Sequence, residues 1–289
     1  MLLDRFLTEF YLPSRIELSR DYGRFLSAVC ADFSAWLNRP ANIDDLTEAN
    51  VCRYLGQYRQ RWSASSTNNR RAALRMLHNE ATGGHLQIRK LKCAPDPPVA
   101  WTIEEVARLL EASVAMHGRI AGVPAGRWWF SLLLTIYWTA CRIGSLLAVE
   151  SQHYRRGKGL LVRKQKNRIP QFHPLPLSCC EAIDATWPTA RRLLWPWDQA
   201  PKKIFGHMRW IVETSGIDDR PGGRMLFHRL RRTSISYCAA VDPAIAQRTA
   251  GHADYATTLR SYVDPLIAHQ RTAADVLPDP LAKRFSIYQ

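Results

Sequence analysis

The stretch QIRKLKCAPDPPVA, residues 87–100, sets the main limit on how this chain folds. Its three prolines and missing apolar period rule out a packed helix or a central strand. Each flank must therefore build its own core. Directly after it stands Trp101-Thr102, with Glu105 three residues past Thr102 and Val106 next. That spacing predicts a capping box with a hydrophobic staple, and so a helix opening a new domain. The chain divides into residues 1–86, a linker at 87–100, and residues 101–289.

Residues 1–86 read as all-helical. Tyr22, Leu26, Val29, Phe33 and Leu37 recur at helical spacing until Asn38-Arg39-Pro40 ends the run. A second helix is predicted from the N-cap Thr47, with Val51, Tyr54, Leu55 and Tyr58 on one face. A third opens within Ser65-Ser66-Thr67, carries Leu74, Leu77 and Ala81, and stops at Gly83-Gly84. Arg70, Arg71 and Arg75 fall in its first turns, where the macrodipole prefers negative charge. A bound phosphate resolves that conflict, and so does a solvated arginine face.

The second region reads as mostly helical with one small sheet. The apolar run Trp128–Ala140 is too short to span a bilayer and is predicted to be a buried helix. Between Val149 and Leu177 the helical period gives way to glycines and prolines. Leu160–Arg163 and Ile169–His173 are predicted strands, joined through Lys164-Gln165-Lys166-Asn167. Trp195–Trp197 is read as packing within the domain.

Forty Lys+Arg against 25 Asp+Glu give a net charge of +15. That balance fits a polyanionic partner, and Arg89, Lys90 and Lys92 in the linker suit a strap across a phosphate backbone. The seven cysteines are scattered and never in CxxC spacing, so neither a disulfide framework nor a metal site is expected. Reduced thiols fit the cytoplasm. The polar start, MLLDRFLTEF, does not read as a signal peptide, and no membrane partner is expected.

Three strings in the second region carry chemistry: TACRIGSLLAVE (139–150), HRLRRTSIS (228–236) and AGHADYATTLRSYV (250–263). Arg142 lies just past the apolar run. His228 and Arg231 are three apart and share a helix face, while Arg229 and Arg232 point elsewhere, as backbone contacts or solvated charges. His252 follows Gly251, a helix-ending glycine. Arginine forks match phosphate oxygens, histidine moves a proton near neutral pH, and a tyrosine hydroxyl such as that of Tyr262 can attack as a nucleophile. Two arginines, two histidines and one tyrosine suit metal-free attack on a phosphodiester.

In order and spacing these strings resemble the active-site boxes of the tyrosine recombinase (phage integrase) family, and the N-terminal helical pattern is similar to that family's core-binding domain. The resemblance implies a mainly α fold with a small β-sheet in the C-terminal domain: a helical core-binding domain followed by an integrase-type catalytic domain. It implies that Arg142 and Arg231 clamp the scissile phosphate, that His228 assists proton transfer or orients the phosphate, and that His252 hydrogen-bonds it. Tyr262 becomes the nucleophile, and a hairpin lysine supplies the leaving-group proton; Lys166 matches better, with Lys164 still open. Two departures stand out. Ser145 replaces a frequent glutamate, and Ser261 occupies the commoner tyrosine position, one residue before Tyr262.

The implied activity is site-specific cutting and rejoining of double-stranded DNA through a 3′-phosphotyrosyl link, with no cofactor and no metal. The implied assembly is a homo-tetramer on two duplexes at the nucleoid. Leu266, Ile267, Val276 and Leu277 in the 264–289 tail suit either docking on a partner or packing on their own domain. A type IB topoisomerase-like relaxing enzyme and a catalytically silent DNA-binding relative fit much of the same inventory. By charge and position Arg70, Arg71, Arg75, Arg89, Lys90, Lys92 and Lys164 are the candidate DNA contacts outside the chemistry.

Overall fold

A computed structural model describes residues 1–93, 97–163, 169–186, 191–218 and 225–268. The chain forms two compact units, Met1–Pro95 and Asp96–Gln289.

The first unit opens with one continuous helical segment: α1 (Leu3–Arg5), a π-helical stretch Phe6–Tyr11, and α2 (Leu12–Ser14). Leu3, Leu7 and Tyr11, four apart, form its buried stripe. This helix was not anticipated from the sequence. Then come α3 (Arg20–Trp36), α4 (Glu48–Gln57) and α5 (Ala64–Thr82). The Ser19 and Thr47 side chains cap α3 and α4, and Gly83 ends α5 at φ 69°, a left-handed conformation that costs glycine little. Leu26, Val29, Phe33, Val51, Tyr54, Leu74 and Leu77 join the first stripe in a core. Tyr22, placed on the buried face by periodicity, is 38% exposed, so the stripe starts at Leu26.

Two expectations need correcting. The N-cap of α5 is Ser63, not a residue within 65–67. Arg70, Arg71 and Arg75 thus lie in the second turn and beyond, outside the reach of the helix-end field. Residues 87–91, the start of the expected unpacked linker, also pack. Leu86 and Ile88 are buried in the first core, and the Asn68 amide exchanges hydrogen bonds with the Leu91 backbone at 2.9 and 3.0 Å. Missing periodicity ruled out a helix there, yet it left an extended segment free to dock.

In the second unit Thr102 and Glu105 form the capping box of α6 (Ile103–Val114), and Trp101 before it is buried. A two-residue hairpin, β1 (Arg119–Ile120) with β2 (Val123–Pro124), leads into α7 (Ala125–Thr139). Trp128, Trp129, Leu132, Leu133 and Ile136 on α7 are all fully buried, so this helix is the centre of the unit. Gly126 lets α6 approach: a Cβ there would overlap the Val114 carbonyl. After α8 (Ile143–Leu146) an antiparallel sheet runs β3 (Tyr154–Arg155), β4 (Gly159–Val162), β5 (Gln171–Pro174). The predicted pair is β4 and β5; the short β3 was not foreseen. Trp195 is fully buried and its Nε1 donates to Ser131 Oγ at 3.0 Å, and Trp197 packs 5.4 Å from Trp128.

Helices α9 (Leu177–Asp184), α10 (Lys203–Thr214), α11 (Met225–Val241), α12 (Pro243–Ala250) and α13 (Tyr255–Tyr262) complete the unit. Among the described residues no helix is long and apolar enough to cross a membrane.

Candidate active site

Arg142 is positioned by a tight corner. Ala140 ends α7 at φ 49°, a left-handed conformation that non-glycine residues rarely adopt. Thr139 Oγ1 accepts the Cys141 N–H at 3.2 Å, and Arg142 becomes the extended N-cap of α8. The arginine therefore stands at the start of a new short helix, where sequence reasoning placed it at the end of a buried one.

Arg231 locks this corner to the rest of the site. Its side chain is only 2% exposed; Nη1 donates to the Ala140 carbonyl and Nη2 to the Ala250 carbonyl at 2.7 Å. One guanidinium thus ties the Arg142 corner to the end of α12, where Gly251 turns left-handed at φ 66° and delivers His252. The His252 ring is oriented by Nδ1 against Thr258 Oγ1 at 3.0 Å, which leaves Nε2 as the nitrogen offered outward.

Tyr262 closes the group. Its ring lies 4.9 Å from the His252 ring, and the Arg231 guanidinium carbon sits 5.1 Å from the ring centroid. Ser236 Oγ donates to the Tyr262 carbonyl at 3.1 Å and accepts the Asp264 N–H at 2.8 Å, pinning the end of α13. Burial pushes the phenol up, but the charges of Arg231 and Arg142, with hydrogen bonds from both, outweigh it and hold the phenol below its ordinary value.

His228 lies half-buried one turn before Arg231. Burial, then the charges of Arg231, Arg232 and Arg142, push its pKa down. His252 is lowered likewise, by burial first and then by Arg231 and Arg142. Both imidazoles are therefore neutral at pH 7. Neutral imidazole can accept a proton, which suits a base beside a phenol.

Arg142, His228, Arg231, His252 and Tyr262, read from three separate strings, thus come together. Lys164 and Lys166 lie outside the described residues, as do Val276 and Leu277. Leu266 is exposed, while Val263 and Ala268 pack into the small core around Ala140, Ile235, Ala246 and Ala250. Arg229 corrects another expectation: it is 6% exposed and its Nε reaches the Val99 carbonyl at 3.3 Å, so it is an interior arginine rather than a solvated one. Ser236 and Thr258 were not singled out from sequence, because their contribution depends on neighbours distant in the chain. Arg232, read as a backbone contact or a solvated charge, is half-buried with its charge felt by Tyr262. Ser145 is buried, and its N–H donates to the Arg142 carbonyl at 2.8 Å.

In the first unit the candidate DNA contacts separate. Arg70 turns inward: Nη1 donates to Asp32 at 2.6 Å and to Tyr54 Oη at 3.2 Å, and the guanidinium stacks 3.9 Å over Trp62. These contacts remove it from the candidate DNA contacts, because its charge is already paired with Asp32 and its guanidinium is stacked on Trp62. Arg71 donates to the Ile88 carbonyl at 2.6 Å and still lines, with Arg75 and Asn79, an open cleft of about 590 Å³. Arg89, Lys90 and Lys92 are exposed.

Solved structures of integrases and recombinases share this arrangement of elements. A lambda integrase (residues 75–356) dimer bound to a COC′ core site matches with TM-score 0.70 and 17% identity over 94% of this chain and 99% of that one. The chain has the fold of the tyrosine recombinases. XerH site-specific recombinase on a palindromic difH substrate matches at TM-score 0.69 and 15% identity, over 94% of this chain and 83% of that one. A lambda integrase tetramer on a Holliday junction matches at TM-score 0.63 and 17% identity, over 89% and 75%. Residues 18–83 match the family described as phage integrase, N-terminal SAM-like domain, which spans the α3–α5 part of the first unit. No curated protein matches the chain by sequence. Within this fold, the Arg142–Arg231–Tyr262 group is built from the N-cap of α8, the interior of α11 and the last residue of α13.

Proposed function

We propose that this protein is a site-specific DNA recombinase that cuts and rejoins double-stranded DNA through a 3′-phosphotyrosyl intermediate. The observation that carries the reading is the Tyr262 phenol, held by two arginines that lower its pKa. A phenol of ordinary pKa, about 10, is a poor nucleophile at neutral pH. Two guanidinium groups favour its ionised form, and the same groups can neutralise a phosphorane-like transition state.

Tyr262 Oη attacks the scissile phosphorus, and its proton passes to His228, which is neutral and beside the arginines. Arg142, Arg231 and His252 Nε2 stabilise the charge developing on the non-bridging oxygens. The 5′ oxygen leaves with a proton from Lys166, or from Lys164 two residues before it. The ester keeps the energy of the broken bond, so rejoining needs no nucleotide. Recombination exchanges strands between two duplexes, so the assembly is a homo-tetramer, working at the nucleoid.

With positive charge supplied by arginines, cleavage should survive excess EDTA. Activity lost on chelation and restored by Mg²⁺ would contradict this. Because His228 and His252 are shifted below the usual imidazole value, the cleavage rate should not fall as the pH drops through about 6.5. It should fall only at lower pH, where the two rings gain protons. A rate that halves at pH 6.5 would mean that the functional imidazoles titrate normally.

Binding by the first unit is attributed to Arg71, Arg75, Arg89, Lys90 and Lys92. Neutralising Arg71 and Arg75 together should flatten the slope of log affinity against log salt by about two, at roughly 0.9 per phosphate contact. Arg70→Met should leave that slope alone and instead cost about 1–3 kcal/mol of stability, through its lost bond to Asp32. A flattened slope for Arg70→Met would return it to the DNA-binding set.

A supercoiled plasmid assay tests the whole reading. Exchange at a defined site supports recombination. Relaxation without site preference supports the topoisomerase-like alternative, and binding alone supports a silent relative, the reading that Ser145 favours.

A further inference from the structure

His173 and Gln171 sit on one face of β5, two residues apart, and take no part in the chemistry above. His173 is 6% exposed, and its Nε2 lies 3.4 Å from Cys141 Sγ. Cys141 is buried in the corner between Ala140, whose carbonyl receives Arg231, and Arg142. Gln171 Nε2 donates to the Arg248 carbonyl at 3.0 Å, at the end of α12 just before Ala250, Gly251 and His252. Strand β5 thus touches both backbone segments that Arg231 bridges, one through each polar side chain.

We infer that His173 is a positioning residue: with Gln171 it makes β5 a brace that fixes the Arg142 corner relative to the His252 turn, so that Arg142 and Arg231 meet the Tyr262 oxygen together. Three facts support this. A buried imidazole costs desolvation unless it gains a partner, and here its partner is the residue directly before Arg142. Burial, with the charge of Arg231, lowers the His173 pKa to about 4, so the ring is neutral and adds no positive charge beside the guanidinium pair. The β5 register is also well fixed, by Leu160↔His173 and Val162↔Gln171 pairing with the fully buried β4 residues Leu160 and Val162. A rigid strand on one side and a strained corner on the other give the imidazole a definite spacing to hold.

This inference rests on the proposed cleavage reaction, and its test has an arm that does not. His173→Leu keeps apolar volume and removes the polar contact, whereas His173→Gln keeps a polar atom at a similar reach. On a nicked DNA duplex the Leu variant should form covalent adduct about tenfold to a hundredfold more slowly, the scale on which a displaced reacting group is felt. Its DNA affinity and melting temperature should stay near those of the wild type, and the Gln variant should recover most of the rate. In the DNA-free protein, NMR of ring-labelled tyrosine should find Tyr262 titrating at higher pH in His173→Leu than in the wild type, since the arginines would no longer converge on it. If the Leu variant keeps the wild-type rate and the wild-type Tyr262 titration, His173 is passive packing and the inference fails. It fails too if Leu and Gln lose rate equally with a lowered melting temperature. If wild-type protein forms no adduct, the cleavage reading falls and the Tyr262 titration alone decides the brace.

Discussion

Tyr262→Phe should abolish covalent capture of DNA while leaving affinity nearly unchanged. The substitution removes one oxygen. The ring that packs 4.9 Å from His252 remains, and so does the Arg231 guanidinium over its face. The end of α13 is held by Ser236 through the Tyr262 carbonyl, which any side chain retains. A nicked substrate that loses its leaving strand traps the adduct, and a titration at fixed salt reads the affinity. Adduct formed by the Phe variant would mean that Tyr262 is not the nucleophile. The next test would then be Ser261→Ala, although Ser261 is turned about 100° round α13 from the side that meets the arginines.

Arg231→Ala should lower both the cleavage rate and the stability, and Arg142→Ala only the rate. Losing one preorganised donor to a transition state costs about 2.7–4 kcal/mol, or a factor of 10²–10³ in rate. Arg231 does more than that, because it also satisfies the carbonyls of Ala140 and Ala250 inside the unit. Leaving such buried acceptors unpaired costs about 1–3 kcal/mol each. A single-turnover rate with a melting curve on each variant separates the two contributions. Rate and affinity falling by equal factors in Arg142→Ala would make it an ordinary backbone contact.

The parts of this design visible in the sequence are those whose physics is local. Thr47 and the Thr102/Glu105 box announced their helices because a cap is written in residues three apart. Gly83 and Gly251 announced helix ends because left-handed backbone favours glycine. His228 and Arg231 had to share a face, whatever the remainder of the fold. What stayed hidden depends on neighbours far away in the chain. Arg70 looked like a DNA contact until Asp32, 38 residues away, claimed it. Arg229 looked like a backbone contact or a solvated charge until the Val99 carbonyl engaged it across 130 residues. Ala140 carries no local mark of its positive φ, and Arg231 on its carbonyl, distant in the chain, helps to hold the turn. The first helix was passed over because its stripe Leu3, Leu7, Tyr11 is a single residue wide.

The account stands most directly on the chemical identity of the protein–DNA link. Wild-type adduct on a nicked duplex should be digested with protease and nuclease, and the nucleotide-bearing peptide sequenced by mass spectrometry. The account predicts a phosphodiester between Tyr262 and the 3′ end of the cleaved strand, with a free 5′ hydroxyl on the other product. A nucleotide on Ser261 or Tyr255, or a link to the 5′ end, would contradict it.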